Sequence, residues 1–108
     1  MMKKLRLSDA GDRGWFIGDF DKALVRTKDF EACWQENPAG KVDTPHKHKI
    51  ITELQLVTEG LMIINDIAFG PGDVYLSEPG EEYRAHYIKD TKVVAIKFPS
   101  IPDDKYLI

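Results

Sequence analysis

Two histidines and a carboxylate lie close together in residues 40–60, a stretch that begins and ends with glycine. His46 and His48 are two residues apart, so on an extended strand both imidazoles point to the same face. Glu53 follows at an odd offset and needs a bend or bulge within residues 49–52 to join that face. Imidazole nitrogen and carboxylate oxygen together suit zinc, iron, nickel or manganese. The stretch is therefore a candidate site for a divalent metal ion.

The residues that follow the histidines predict the strand that carries the carboxylate. Residues 51–57 alternate in polarity, with Glu53 and Gln55 on one side and Leu54 and Leu56 on the other. One face of this strand is partly polar, as a ligand-lining face would be. We expect Gln55 to hydrogen-bond a ligand or to orient the carboxylate of Glu53.

Short apolar or alternating runs, separated by turn residues such as Asn-Pro, Asn-Asp and Pro-Gly, make up the rest of the chain. Many short strands at this spacing predict an all-β sandwich or barrel in a single domain. We expect an N-terminal arm and loop over residues 1–14, the β-barrel over residues 15–98 and a C-terminal tail over residues 99–108. Pro99 and Pro102 should stop regular structure before the end of the chain.

The composition argues against several classes of protein. The chain has 108 residues, 43% of them hydrophobic and 31% charged, as in one globular domain. Its 18 acidic and 15 basic side chains are scattered, which argues against nucleic acid as a partner. No run of 18 apolar residues predicts a membrane span, and no signal peptide is recognisable. The single Cys33 cannot form an internal disulfide, which fits a cytoplasmic location.

Gly40, His46, His48, Glu53 and Gly60 match the five fixed positions of a known motif. It is the first conserved motif of the cupin family, which the chain therefore resembles. Gly-Asp at 72–73 and Pro-Gly at 79–80 resemble the start of the second cupin motif, and the resemblance covers about residues 38–98. It implies a small jelly-roll β-barrel with a ligand pocket inside, open at one end. It also implies metal binding by His46, His48 and Glu53.

The second motif departs from the family at one position. Cupins supply a third metal histidine there, and this chain has Tyr83 instead. Tyr83 could complete the ligand set as a phenolate or donate a proton to a bound substrate. His86 is three residues further and reaches the pocket only through a bulge. Trp34 is predicted to be either core or an aromatic wall at the barrel mouth, and joins His86 and Gln55 as a candidate pocket residue.

Three hypotheses for function remain open, and the sequence does not decide whether the chain is an enzyme. The first is a metal-dependent enzyme acting on a small polar metabolite, because isomerase and dioxygenase chemistry both occur in small cupins. The second is a non-catalytic cupin that senses or holds a small molecule. The third is a metal-free sugar-nucleotide epimerase or isomerase in which His46 or His48 works with Tyr83.

The expected partners are a small-molecule ligand and a second copy of the chain. Family analogy favours a homodimer, and the apolar end of the chain at residues 106–108 is a candidate contact surface.

Overall fold

The computed structural model describes residues 1–108 and consists almost entirely of β-strands. Two three-residue 3-10 turns, Leu7–Asp9 and Asp12–Gly14, precede the first strand. Neither is long enough to cross a membrane, and no other helix is present. Twelve strands follow in chain order: β1 Trp15–Gly18, β2 Val25–Arg26, β3 Glu31–Asn37, β4 His46–Lys47, β5 Thr52–Glu59, β6 Met62–Ile64, β7 Ile67–Phe69, β8 Val74–Ser77, β9 Glu82–Tyr83, β10 Ala85–Tyr87, β11 Thr91–Phe98 and β12 Tyr106–Leu107.

The largest sheet contains six strands in the order β2-β1-β3-β11-β5-β8. Its neighbours are antiparallel apart from the short β1–β2 pair. Strands β3, β5 and β11 are the longest, and their alternating sequences give the sheet two different faces. Along β5 the inward side chains are Glu53, Gln55 and Val57, all of them buried. The inner face therefore changes from polar to apolar along one strand.

Two three-stranded sheets, β10-β6-β7 and β12-β4-β9, complete the fold. The core lies between the apolar part of the large sheet and the β10-β6-β7 sheet. It contains eight buried side chains: Val57, Met62, Ile64, Tyr75, Tyr83, Ala85, Tyr87 and Val93. The three sheets do not close into one continuous barrel, but their arrangement fits the jelly roll. The predicted all-β fold is confirmed.

The C-terminal segment differs from its prediction. Regular structure was expected to stop at Pro99, but β12 lies within the predicted tail and pairs with β4. Asp104, which is only 2% exposed, explains why this segment forms a regular strand. Its carboxylate accepts hydrogen bonds from three consecutive backbone N–H groups at residues 49–51, at 2.8 to 3.0 Å. The tail is therefore fixed against the bend that follows the two histidines.

Candidate metal centre and cavity

The structure brings His48 and Glu53 into direct contact. The backbone bends at residues 49–50, between β4 and β5, and this bend turns Glu53 toward the histidines. Nε2 of His48 lies 3.2 Å from Oε1 of Glu53, and the two residues are 4% and 7% exposed. His46 stands beside them, with its ring centre 5.4 Å from that of His48. The three predicted metal ligands are therefore neighbours.

Backbone carbonyl groups orient both imidazoles. Nδ1 of His46 lies 2.8 Å from the carbonyl oxygen of Thr44, and Nδ1 of His48 is hydrogen-bonded to the carbonyl oxygen of Asp104. A carbonyl only accepts, so each Nδ1 carries a hydrogen and donates it. In the neutral rings, Nε2 is then the atom with the free lone pair. Burial lowers the pKa of His46, which favours its neutral form.

The carboxylate of Glu53 is held in its charged form. Burial alone would raise its pKa, but the hydrogen bond with His48 and the positive charge of Lys97 outweigh it, and the pKa lies below its usual value. The other carboxylate oxygen accepts a hydrogen bond of 3.3 Å from Nε2 of Gln55. The hydrogen bond with His48 requires a proton on Nε2 of that ring, because the carboxylate only accepts; without this proton the Nε2 lone pair of neutral His48 would face the charge directly. Either a proton or a metal cation between the two atoms would relieve the repulsion.

Tyr83 occupies the place next to His46. It lies on β9, opposite His46 on β4, and the two ring centres are 5.0 Å apart. Its hydroxyl group donates weakly to Asp43 at 3.4 Å or to Gln55 at 3.5 Å. Burial raises the pKa of Tyr83 well above its usual value, and the carboxylate of Asp43 adds to the effect. Tyr83 is therefore a neutral phenol, which disfavours the phenolate alternative in the absence of a cation.

Asp43 is a site residue that the sequence did not reveal. Its Oδ2 accepts a hydrogen bond of 2.9 Å from the hydroxyl group of Tyr87, and its Oδ1 lies 3.6 Å from Nζ of Lys41. Burial raises the pKa of Tyr87, and the Asp43 carboxylate raises it further. Asp43 lies three residues before His46, which was the only available signal. Its tyrosine partners are about forty residues away and reach it through strand pairing.

A cavity of about 660 Å³ lies in front of these groups. This volume suits a small metabolite. The lining includes most of the groups described above: His46, Glu53, Gln55, Asp43, Tyr83 and Tyr87. Trp34 also lines the cavity and keeps 37% of its surface exposed. His48 lies behind Glu53, outside the lining.

His86 does not belong with the predicted pocket residues. It lies on β10 between two buried residues, Ala85 and Tyr87, and its own side chain is exposed. Strand β10 is regular at this point, so no bulge turns the imidazole inward. The structure therefore places His86 outside the cavity.

A complete metal cluster is not preformed in the structure. No group of three or more His, Cys, Asp or Glu side chains is arranged to hold a metal ion. His48 and Glu53 approach within contact distance, and His46 stands beside them without closing the set.

Solved structures with the same architecture are found in other organisms. KdgF from Halomonas sp. is 23% identical, with a TM-score of 0.66 over 71% of this chain and 74% of that one. A protein with a double-stranded β-helix domain from Klebsiella pneumoniae is 19% identical, with a TM-score of 0.67 over 75% and 71%. A cupin-2 domain protein from Shewanella frigidimarina is 19% identical, with a TM-score of 0.56 over 68% and 74%.

These likenesses show that the chain has the cupin fold. No protein-family model matches the sequence, and a comparison with curated proteins finds no match. The predicted resemblance to cupins is thus confirmed at the level of the fold.

Proposed function

We propose that this chain binds a small polar metabolite and a divalent metal ion in the cupin cavity, and isomerises the metabolite at a carbonyl group. The observation that carries the proposal is the contact between His48 and Glu53 at the edge of a metabolite-sized cavity. Both histidines have Nδ1 tied to a backbone carbonyl, as metal-ligating histidines commonly do.

The donor set fits a divalent cation by its chemistry. Nε2 of His46, Nε2 of His48 and Oε1 of Glu53 would hold the ion, since all three atoms are free of other hydrogen-bond donors. The separation of 3.2 Å between His48 and Glu53 is short enough for both atoms to bind one ion at roughly 2.1 Å each. Bound there, the ion would supply Lewis-acid polarisation of a substrate carbonyl.

The chain's own residues supply the proton-transfer groups that isomerisation requires. Tyr83 is a neutral phenol on the cavity wall and can donate a hydrogen bond or a proton to a substrate oxygen. The Asp43 carboxylate is next to it and can accept a proton from the carbon beside the carbonyl group. Isomerisation at a carbonyl group uses such a proton donor and proton acceptor, so the pair supports the isomerase proposal.

Two measurements test this proposal. Metal analysis after loading with manganese, nickel or zinc should give about one ion per chain, and the His46→Ala/His48→Ala double variant should lose it. His86→Ala is the matched control, because that imidazole lies outside the cavity. Equal trace metal in wild type and double variant would remove the metal from the proposal.

The reaction is tested by proton exchange. Small hydroxy-aldehydes and hydroxy-ketones are incubated with the metal-loaded protein in D₂O, and NMR follows deuterium at the carbon beside the carbonyl group. We expect exchange with wild type and its loss in Tyr83→Phe at unchanged metal content. Exchange that is identical in both proteins would remove Tyr83 from the mechanism.

A non-catalytic binding module is the second candidate. The observation that favours it is the replacement of the third metal histidine by Tyr83, together with the absence of a preformed three-donor cluster. In this case the same metabolites would shift NMR signals or raise the melting temperature without deuterium exchange.

The predicted homodimer stays a proposal, for which the large sheet offers a candidate surface. Six aliphatic side chains on β5, β8 and β11 lie in register on its outer face: Leu54, Leu56, Val74, Leu76, Val94 and Ile96. None of the six is charged, and four are at least 36% exposed. A contiguous apolar patch of this kind is typical of protein interfaces. A second copy would present the same uncharged surface across a twofold axis.

A further inference from the structure

The cavity lining carries an excess of one positive charge although the whole chain has a formal net charge of −3. Four cationic side chains line the cavity, against three carboxylates. Lys41 is satisfied locally, by Asn37 at 2.8 Å and Asp43 at 3.6 Å. The other three cations are Arg13, Lys97 and Lys105. They lie on different parts of the chain and converge on the same cavity.

Lys97 is directed toward the candidate metal centre by sheet register. It lies on β11 opposite Glu53 on β5, so both side chains extend from the same face of the sheet. Its ammonium group stands 4.6 Å from the ring centre of Trp15 and has no carboxylate within 4.0 Å. The aromatic ring holds the charge in place but leaves its hydrogen-bond donors free.

Lys105 reaches the cavity because its neighbour Asp104 is anchored. Asp104 fixes the tail against residues 49–51, and the next side chain lies along the cavity wall. Lys105 also has no carboxylate within 4.0 Å. Burial, followed by repulsion from Arg13 and Lys97, lowers its pKa, which agrees with the three cations being close together.

We infer that Arg13, Lys97 and Lys105 form a subsite for an oxyanionic group, a carboxylate or a phosphate, on the metabolite that the cavity binds. An anion placed among them would gain the ammonium donors of Lys97 and Lys105, which have no carboxylate partner, and would relieve the mutual repulsion of the three cations. Arg13 is paired through Nε with the exposed Asp12 at 3.5 Å, which leaves its two terminal nitrogens to face the anion. The subsite and the candidate metal centre share one cavity, so a ligand with an anionic end and a carbonyl or hydroxyl end would span both. The placement of the carbonyl or hydroxyl end at the candidate metal centre rests on the proposed function.

The test uses malonate and inorganic phosphate as probes, with chloride at equal ionic strength as the reference. Binding is measured by the shift in melting temperature and by calorimetry, on the full chain. We expect saturable binding of at least one probe by wild type. Lys97→Met and Lys105→Met should each weaken it about tenfold, and the double variant should abolish it. Binding of malonate alone identifies a carboxylate subsite, and binding of phosphate alone identifies a phosphate subsite.

The control is Lys92→Met on the same strand, because Lys92 pairs with Glu59 at 3.2 Å and does not line the cavity. It should bind as wild type does. No saturable binding of either probe, or equal weakening in Lys92→Met and Lys97→Met, would overturn the inference. All titrations are repeated in EDTA. Anion binding that survives EDTA supports the subsite even if the metal proposal fails, and metal binding without anion binding overturns the subsite alone.

Discussion

Nε2 of His48 and Oε1 of Glu53 lie 3.2 Å apart with both side chains buried, so one carboxylate oxygen of Glu53 faces one imidazole nitrogen away from solvent. The relationship predicts that the negative charge of Glu53, more than its shape, governs metal affinity. Glu53→Gln keeps the size and a hydrogen-bonding oxygen but removes the charge. We expect metal affinity, measured by calorimetry, to fall by at least about 100-fold.

The matched control for Glu53 is Glu82→Gln, since Glu82 is an exposed carboxylate on β9. Its metal affinity should equal that of wild type. If Glu53→Gln binds metal as tightly as wild type, then Glu53 is not a ligand.

The fold and part of the site were predictable because both depend on local sequence. Alternation of polarity predicted the strands, and the spacing of His46, His48 and Glu53 predicted the bend that brings them together. The role of Asp43 was not predictable, since its hydrogen bond with Tyr87 spans 44 positions and depends on how the strands pair. The same is true of Asp104, whose carboxylate contacts groups more than 50 positions away.

Asp104 predicts an acid-sensitive contribution to stability. Burial alone would raise its pKa, but hydrogen bonds from Ile51, Ile50 and Lys49 outweigh it, and the pKa lies below the usual value of 3.8. A carboxyl group with a lowered pKa stabilises the fold above its unfolded pKa, and this contribution is lost as the pH falls through the folded value. Asp104→Asn should therefore cost about 2 kcal/mol at pH 7 and progressively less below about pH 4.

Urea unfolding from pH 3 to pH 7 measures this difference. Asp103→Asn is the control, because Asp103 is an exposed neighbour without such contacts. A constant difference between wild type and Asp104→Asn at all pH values would show that the carboxylate charge has no part in anchoring the tail.

Gly60 is the last position of the first motif, and replacing it with a larger residue should destabilise the fold through a steric clash. Its φ of +95° is unfavourable for other residues, and a Cβ atom there would lie 2.3 Å from the carbonyl oxygen of Asp90. Gly72 has a similar φ of +89° but open space around it. Gly72→Ala should cost about 1 kcal/mol from backbone conformation alone. Gly60→Ala should cost at least about 2 kcal/mol more, because backbone atoms must move. Equal losses in denaturant unfolding would contradict the steric argument.

If the chain dimerises through the outer face of the large sheet, one charged side chain introduced there should dissociate the dimer. Light scattering should give twice the chain mass of 12.3 kDa for wild type and the monomer mass for Leu56→Lys. Leu107→Lys is the control, since Leu107 is 69% exposed on β12, outside the proposed surface. Dissociation by Leu107→Lys alone would move the interface to the C-terminal end, and a monomeric wild type would refute the dimer.

Tyr87 and Tyr83 both donate hydrogen bonds to Asp43, but replacing them with Phe should lower the free energy of unfolding by different amounts. Tyr87 donates at 2.9 Å and Tyr83 at 3.4 Å, so Tyr87→Phe should cost about 1.5 kcal/mol in urea unfolding, and Tyr83→Phe less than about 1 kcal/mol. Burial raises the pKa of both phenols above the usual value of 10. A group with a raised pKa stabilises the fold below its unfolded pKa, and this stability is lost as the pH rises.

Wild type should therefore lose stability as the pH rises above about 10, and each Phe variant should lose less over the same range. Absorbance at alkaline pH reports tyrosinate formation directly and should show delayed ionisation in the folded protein. Tyr106→Phe is the control, because Tyr106 is 39% exposed and only Tyr83 and Tyr87 donate hydrogen bonds to Asp43. If the two buried-site variants follow the same pH profile as Tyr106→Phe, the hydroxyl groups around Asp43 do not resist ionisation, and Tyr83 is not held as a neutral proton donor.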